Sequence, residues 1–94
     1  MGIKAKLVTL DAGYDREKQE ISELVSSGVL ELNCLYDVLE IDVYSSNSTV
    51  LLDKSPYKIF NSVFFDFYDS ETGEEIDIYD EEVSKDYQCI YEYY

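Results

Sequence analysis

The stretch "VFFDFYDSETGEEIDIYDEE", residues 63–82, decides the fold class, because its alternation has the two-residue period of a β-strand on both sides of a turn. Val63, Phe65 and Phe67 share one face, and Phe64, Asp66 and Tyr68 share the other. Beyond "SETG" (70–73), Ile76 and Ile78 alternate with Glu75, Asp77 and Tyr79. With "SETG" as a four-residue loop, the register pairs Tyr68 with Glu75, Phe67 with Ile76, Asp66 with Asp77, Phe65 with Ile78 and Phe64 with Tyr79. The apolar pairs then fall on one face, as a half-buried hairpin requires, and Val63, Phe65, Phe67, Ile76 and Ile78 become its core residues. The outer face sets Asp66 against Asp77, a like-charge pair that costs a few tenths to about 1 kcal/mol.

Upstream, "IKAKLVTL" (3–10) reads as another strand, with Ile3, Ala5 and Leu7 on one face and Lys4, Lys6 and Val8 on the other. The segment "DAGYDREKQEISELVSSG" then changes to helical period. Asp15 is placed to cap, Glu17 sits in the first turn, and Gly28 is placed to end the helix. Tyr14, Ile21, Leu24 and Val25 fall on one helical face, and Arg16 is spaced to pair with Glu20, so an amphipathic helix is expected over 15–27.

From residue 29 the chain reads as extended, with Leu30, Leu32 and Cys34 on one face. After Asp37 the alternation restarts, with Leu39, Ile41 and Val43 against Glu40, Asp42 and Tyr44. "SSNS" supplies a turn and residues 49–52 a return strand. Pro56 interrupts the pattern, so 53–61 are expected to be a connection. In the tail, Val83, Tyr87, Ile90, Tyr91 and Tyr94 have helical spacing, but the Tyr and Ile content favours a strand. The expected architecture is a single α+β domain over residues 1–94, with a mostly antiparallel sheet of about five to six strands and one amphipathic helix near the N-terminus.

Composition narrows the function. The 94 residues are 46% hydrophobic and carry 21 acids, 7 bases and no histidine, for a formal net charge of -14. Ninety-four residues suffice for one modest core but not for a cleft between two domains, so the surface is expected to do the work. Nucleic acid and anionic membranes, which attract basic patches, are not expected as direct partners. Without histidine the commonest general base is missing, and close carboxylate pairs are uninformative among so many acids, so no enzymatic activity is expected.

No cofactor or metal is expected either. The four glycines are too scattered for a phosphate loop, and Cys34 and Cys89 lack metal-site spacing and read as buried reduced thiols. Aligning Gly73 with the sixth position of a calcium loop puts Tyr68 first and Tyr79 twelfth, so that pattern fails too. The absence of a membrane-length apolar run or a secretion signal makes the cytoplasm the default.

The charge is lopsided: residues 66–94 hold 11 acids and a single base, Lys85. Carboxylates spaced by about 5–7 Å on a hairpin lie within the Debye length of about 8 Å and repel one another. They also approximate the spacing of successive phosphates, while interleaved Tyr and Phe offer flat surfaces like bases. Aromatic anchors rimmed by charge are the pattern of an interface, and the fitting target is a basic surface. The residues expected to engage it are Asp66, Asp69, Glu71, Glu74, Glu75, Asp77, Asp80, Glu81 and Glu82, with Tyr68 and Tyr79 as anchors.

A small, histidine-free, acidic, aromatic-rich chain with "FFDFYDSETGEEIDIYDEE" at its centre resembles the phage and mobile-element inhibitors that imitate nucleic acid, including anti-CRISPR and anti-restriction proteins. That resemblance implies a stoichiometric, non-enzymatic inhibitor acting in the cytoplasm of an infected bacterial host, where it occupies the nucleic-acid channel of a CRISPR effector or restriction nuclease. The alternative is an immunity or antitoxin protein that neutralises a basic nuclease toxin.

Overall fold

The computed structural model describes residues 2–44, 48–80 and 90–93. Among these residues, seven strands and one α-helix run in the order β1 (Ile3–Leu7), α1 (Asp15–Ser26), β2 (Leu35–Tyr44), β3 (Ser48–Leu52), β4 (Ser55–Asn61), β5 (Phe65–Asp69), β6 (Glu75–Ile76) and β7 (Ile90–Tyr93). Six strands form an antiparallel path in the order β4-β3-β2-β1-β5-β6, and β7 pairs with β2 in parallel. The long strand β2 organises the sheet. Its first residues, 35–37, pair with β1, residues 38–43 pair with β3, and residues 41–44 pair with β7.

Pleat parity sends one face inward. Ile3, Ala5 and Leu7 of β1, Ile41 and Val43 of β2, Val50 and Leu52 of β3, Phe60 of β4, and Phe65 and Phe67 of β5 are buried in one cluster. Helix α1 contributes Ile21, with Leu24 and Val25 packed against the same cluster. Burying a side chain such as Ile21 is worth about 1.5–3 kcal/mol, which anchors a 12-residue helix too short to stand alone in water. The helix begins at Asp15 as expected, but Asp15 is its first helical residue rather than its N-cap. Tyr14 is the N-cap residue, and Glu17 reaches back to accept its backbone N–H at 2.8 Å. Arg16 pairs with Glu20 at 3.7 Å as spaced, whereas Tyr14 is exposed rather than on the buried face.

Three expectations about the chain path are corrected. Residues 29–34 are not a strand. The helix ends at Ser26 with Ser27 as its C-cap residue, Gly28 follows with φ +83, and the N–H groups of Val29 and Leu30 both turn back to the Leu24 carbonyl. Asn33 then adopts φ +65 and donates its N–H to Leu7 O at 2.6 Å. The backbone groups that a ladder would use are spent on this turn. Leu30 is still buried, but Leu32 is exposed, and Cys34 is half-buried with its thiol donating to Glu31 at 3.3 Å. Cys89 lies outside the described residues.

Residues 55–61 form a strand, β4, rather than a connection. Because β4 is the edge of the sheet, Pro56 is tolerated there despite having no N–H to donate. Within β2, a bulge between Val38 and Glu40 inverts the parity, so Leu39, expected inside with Ile41 and Val43, is 47% exposed. β3 and the strand at 90–93 fall where the sequence placed them; the turn at 45–47 and residues 81–89 lie outside the described residues.

Candidate interaction surface

The hairpin forms, but only partly as its alternation suggests. Phe67 pairs with Ile76 and Tyr68 with Glu75, the expected register around the 70–73 loop, and there the ladder stops. The Asp69 carboxylate closes the loop by accepting the N–H groups of Glu71 at 2.7 Å and Thr72 at 3.1 Å. Gly73, with φ +75, supplies the left-handed residue that the loop requires.

Asp77 leaves the strand to begin a second turn, its Oδ1 accepting the Tyr79 N–H at 3.0 Å. The opposition of Asp66 to Asp77 is therefore not formed. Asp66 instead faces Lys6 across the β1–β5 ladder, and Lys4 faces Tyr68. The Phe65–Ile78 and Phe64–Tyr79 pairs are absent too, although Ile78 is buried as expected. At the other end, residues 62–64 form a 3-10 turn that breaks the alternation, so Phe64 is buried and Val63 is exposed, the reverse of the expected faces.

These placements divide the expected contact residues into three groups. Glu71, Glu74 and Glu75 at the tip, with Asp77 and Asp80 beyond it, are exposed. Asp66, Tyr68 and Asp69 at the root are half-buried beside β1. Glu81 and Glu82 lie outside the described residues. Tyr79 is 54% exposed and its hydroxyl shares a 2.6 Å hydrogen bond with that of buried Ser62, so it staples the second turn to the 3-10 turn while presenting its ring.

The ion pairs among the described residues are Lys4–Asp37, Arg16–Glu20, Lys18–Asp11 and Lys58–Glu20. Such pairs are each worth about 0–1 kcal/mol at a surface, but their placement matters, because Glu71, Glu74, Glu75 and Asp77 take part in none of them. Asp11 holds the Lys18 ammonium above its ordinary pKa by a hydrogen bond and by its charge. Among the described residues, no group of His, Cys, Asp and Glu side chains is arranged to hold a metal ion, and no helix is long and apolar enough to cross a membrane.

The signal that the sequence did not expose is the lysine pair of β1. Parity placed Lys4 and Lys6 outward, but nothing local says which strand they face. In the structure the Lys6 ammonium sits 5.3 Å from the centroid of the Tyr68 ring.

Residues 2–90 match the family model of bacteriophage T4 protein Y07B. The chain belongs to that phage family. The match spans β1 through the first residue of β7, and so includes the whole hairpin and both lysines of β1. No curated protein and no solved structure matches this family member.

Proposed function

We propose that this phage protein is a non-enzymatic inhibitor that binds stoichiometrically to a basic, nucleic-acid-binding host protein, with a defence nuclease of the CRISPR or restriction type as the target that best fits the charge. The observation that carries this reading is the bare hairpin tip: Glu71, Glu74 and Glu75 are exposed, clustered within five residues, and outside every ion pair among the described residues. Carboxylates left uncompensated in this way repel one another, and a partner's Lys and Arg side chains would relieve that repulsion. The exposed Tyr79 ring, in the second turn of the same acidic segment, supplies a flat anchor for a guanidinium. Tyr68 is the weaker anchor, because Lys6 already covers its ring.

Affinity capture from a lysate of the phage's bacterial host tests the reading. The captured protein is expected to be basic, to be released by added DNA or RNA, and to be lost when Glu71, Glu74 and Glu75 are all changed to Lys in a variant that keeps its melting temperature. Capture that survives both the charge reversal and excess nucleic acid would sink the proposal.

A further inference from the structure

We propose that a groove on the outer face of β1, β2 and β5 binds a phosphate monoester carried on a flat ring, the chemical class of a nucleoside monophosphate. The groove, of about 360 Å³, is lined by Lys4, Lys6, Leu35, Tyr68, Asp69, Ser70 and Gly73, and its volume falls within the range of small-molecule sites. Lys4 and Lys6 project from the same face of one strand, about 7 Å apart along it, so their ammonium groups can converge on a single dianionic phosphate.

Neither lysine is strongly committed. Lys4 sits a loose 3.7 Å from Asp37, and Lys6 lies over the Tyr68 ring. Among the described lining residues the carboxylate is that of Asp69, which accepts the loop N–H groups of Glu71 and Thr72. Leu35 and Tyr68 supply apolar walls, and the Ser70 hydroxyl is a further donor at the rim.

The contact between Lys6 and Tyr68 gives the site its selectivity. A phosphate that draws the Lys6 ammonium away uncovers the Tyr68 ring, which can then stack on the ligand's flat group. Phosphate and ring therefore bind together better than either does alone. Polymeric nucleic acid is excluded on the same geometry, since Glu75 stands opposite Tyr68 in the β5–β6 ladder and Asp66 stands opposite Lys6, so a chain of phosphates would run into carboxylates. The site borders the hairpin loop through Ser70 and Gly73 but uses none of Glu71, Glu74 and Glu75.

The test is titration of the intact protein with adenosine monophosphate, adenosine and inorganic phosphate, followed by backbone amide shifts. Adenosine monophosphate is expected to shift the amides of Lys4–Lys6, Leu35 and Tyr68–Gly73 saturably, with half-saturation on the order of 1 mM. Adenosine and phosphate alone should bind at least tenfold more weakly. Lys4→Met with Lys6→Met should cost tenfold or more, and Tyr68→Leu should abolish the preference over free phosphate, with thermal melts confirming that each variant folds. Equal binding of inorganic phosphate would overturn the proposal by showing an ion-only site. So would the absence of saturable shifts, or shifts that the lysine substitutions leave unchanged.

Discussion

Removing the Tyr79 hydroxyl tests whether the second half of the acidic segment is held by a specific bond or merely lies against the sheet. Tyr79 and Ser62 share a 2.6 Å hydroxyl contact, and Ser62 is only 1% exposed while the Tyr79 side chain is largely open. Tyr79→Phe removes the bond and leaves the Ser62 hydroxyl buried without that partner. The lost bond is worth about 1 kcal/mol net and the orphaned group adds to it, so the expected cost is about 1.5 kcal/mol. For a domain of this size that is a fall in melting temperature of roughly 6–12 °C. Ser62→Ala should cost less, about 0.5–1 kcal/mol, because the exposed Tyr79 hydroxyl can turn to water. The double variant orphans nothing and should be no worse than Tyr79→Phe, giving a coupling of about 1 kcal/mol in a urea-denaturation cycle. Additivity within about 0.3 kcal/mol would refute the staple. Because the ring survives in Tyr79→Phe, partner capture should persist in that variant and be lost in Tyr79→Ala.

The bulge in β2 predicts opposite outcomes at two leucine-like positions. Leu39→Thr should change stability by no more than about 0.5 kcal/mol, whereas Ile41→Ala should cost about 2–5 kcal/mol, both read from denaturant midpoints. Gly73→Ala meets open space but must hold φ +75, so it should cost about 1–2 kcal/mol and speed amide exchange at Asp69 and Gly73, whose N–H groups close the loop. The Glu31 carboxylate, accepting from the Cys34 thiol, holds its pKa above the ordinary thiol value. A raised pKa means less thiolate at any given pH, so iodoacetamide should label Cys34 more slowly than an unstructured thiol at pH 8. The rate profile should be displaced to higher pH, and Glu31→Gln should move it back.

What the sequence made legible was local periodicity. The helix, the alternation of β1, the return strand β3, and the register of Phe67 and Tyr68 with Ile76 and Glu75 all follow from side-chain patterns within about 15 residues. The misreadings arose where a backbone conformation breaks the pattern without a strong signal. A bulge moves Leu39 outward, a 3-10 turn exchanges Val63 and Phe64, and a turn held by Asn33 uses up residues 29–34, although their alternation looks strand-like. Pro56 misled for a different reason. It argues against a central strand, and only the sheet order reveals that β4 is an edge where proline is admissible.

The acidic surface shows the same divide between local and nonlocal information. That Asp66 and Tyr68 face outward follows from Phe65 and Phe67 facing in. What they face depends on β5 pairing with β1, whose residues lie some 60 positions earlier in the chain. That pairing sets Lys6 opposite Asp66 in the ladder and over the Tyr68 ring, so the hairpin's root lies beside the most basic strand of the chain. Asp66 and Asp77 are not ladder partners, because Asp77 begins a turn in which its Oδ1 accepts the Tyr79 N–H. On the hairpin, Glu71, Glu74, Glu75 and Asp77 are exposed and outside the ion pairs among the described residues, so their carboxylates can spread into water. A partner that seeks negative charge would meet it at the tip, and the root, with its lysines and its groove, is left for a ligand of the opposite sign.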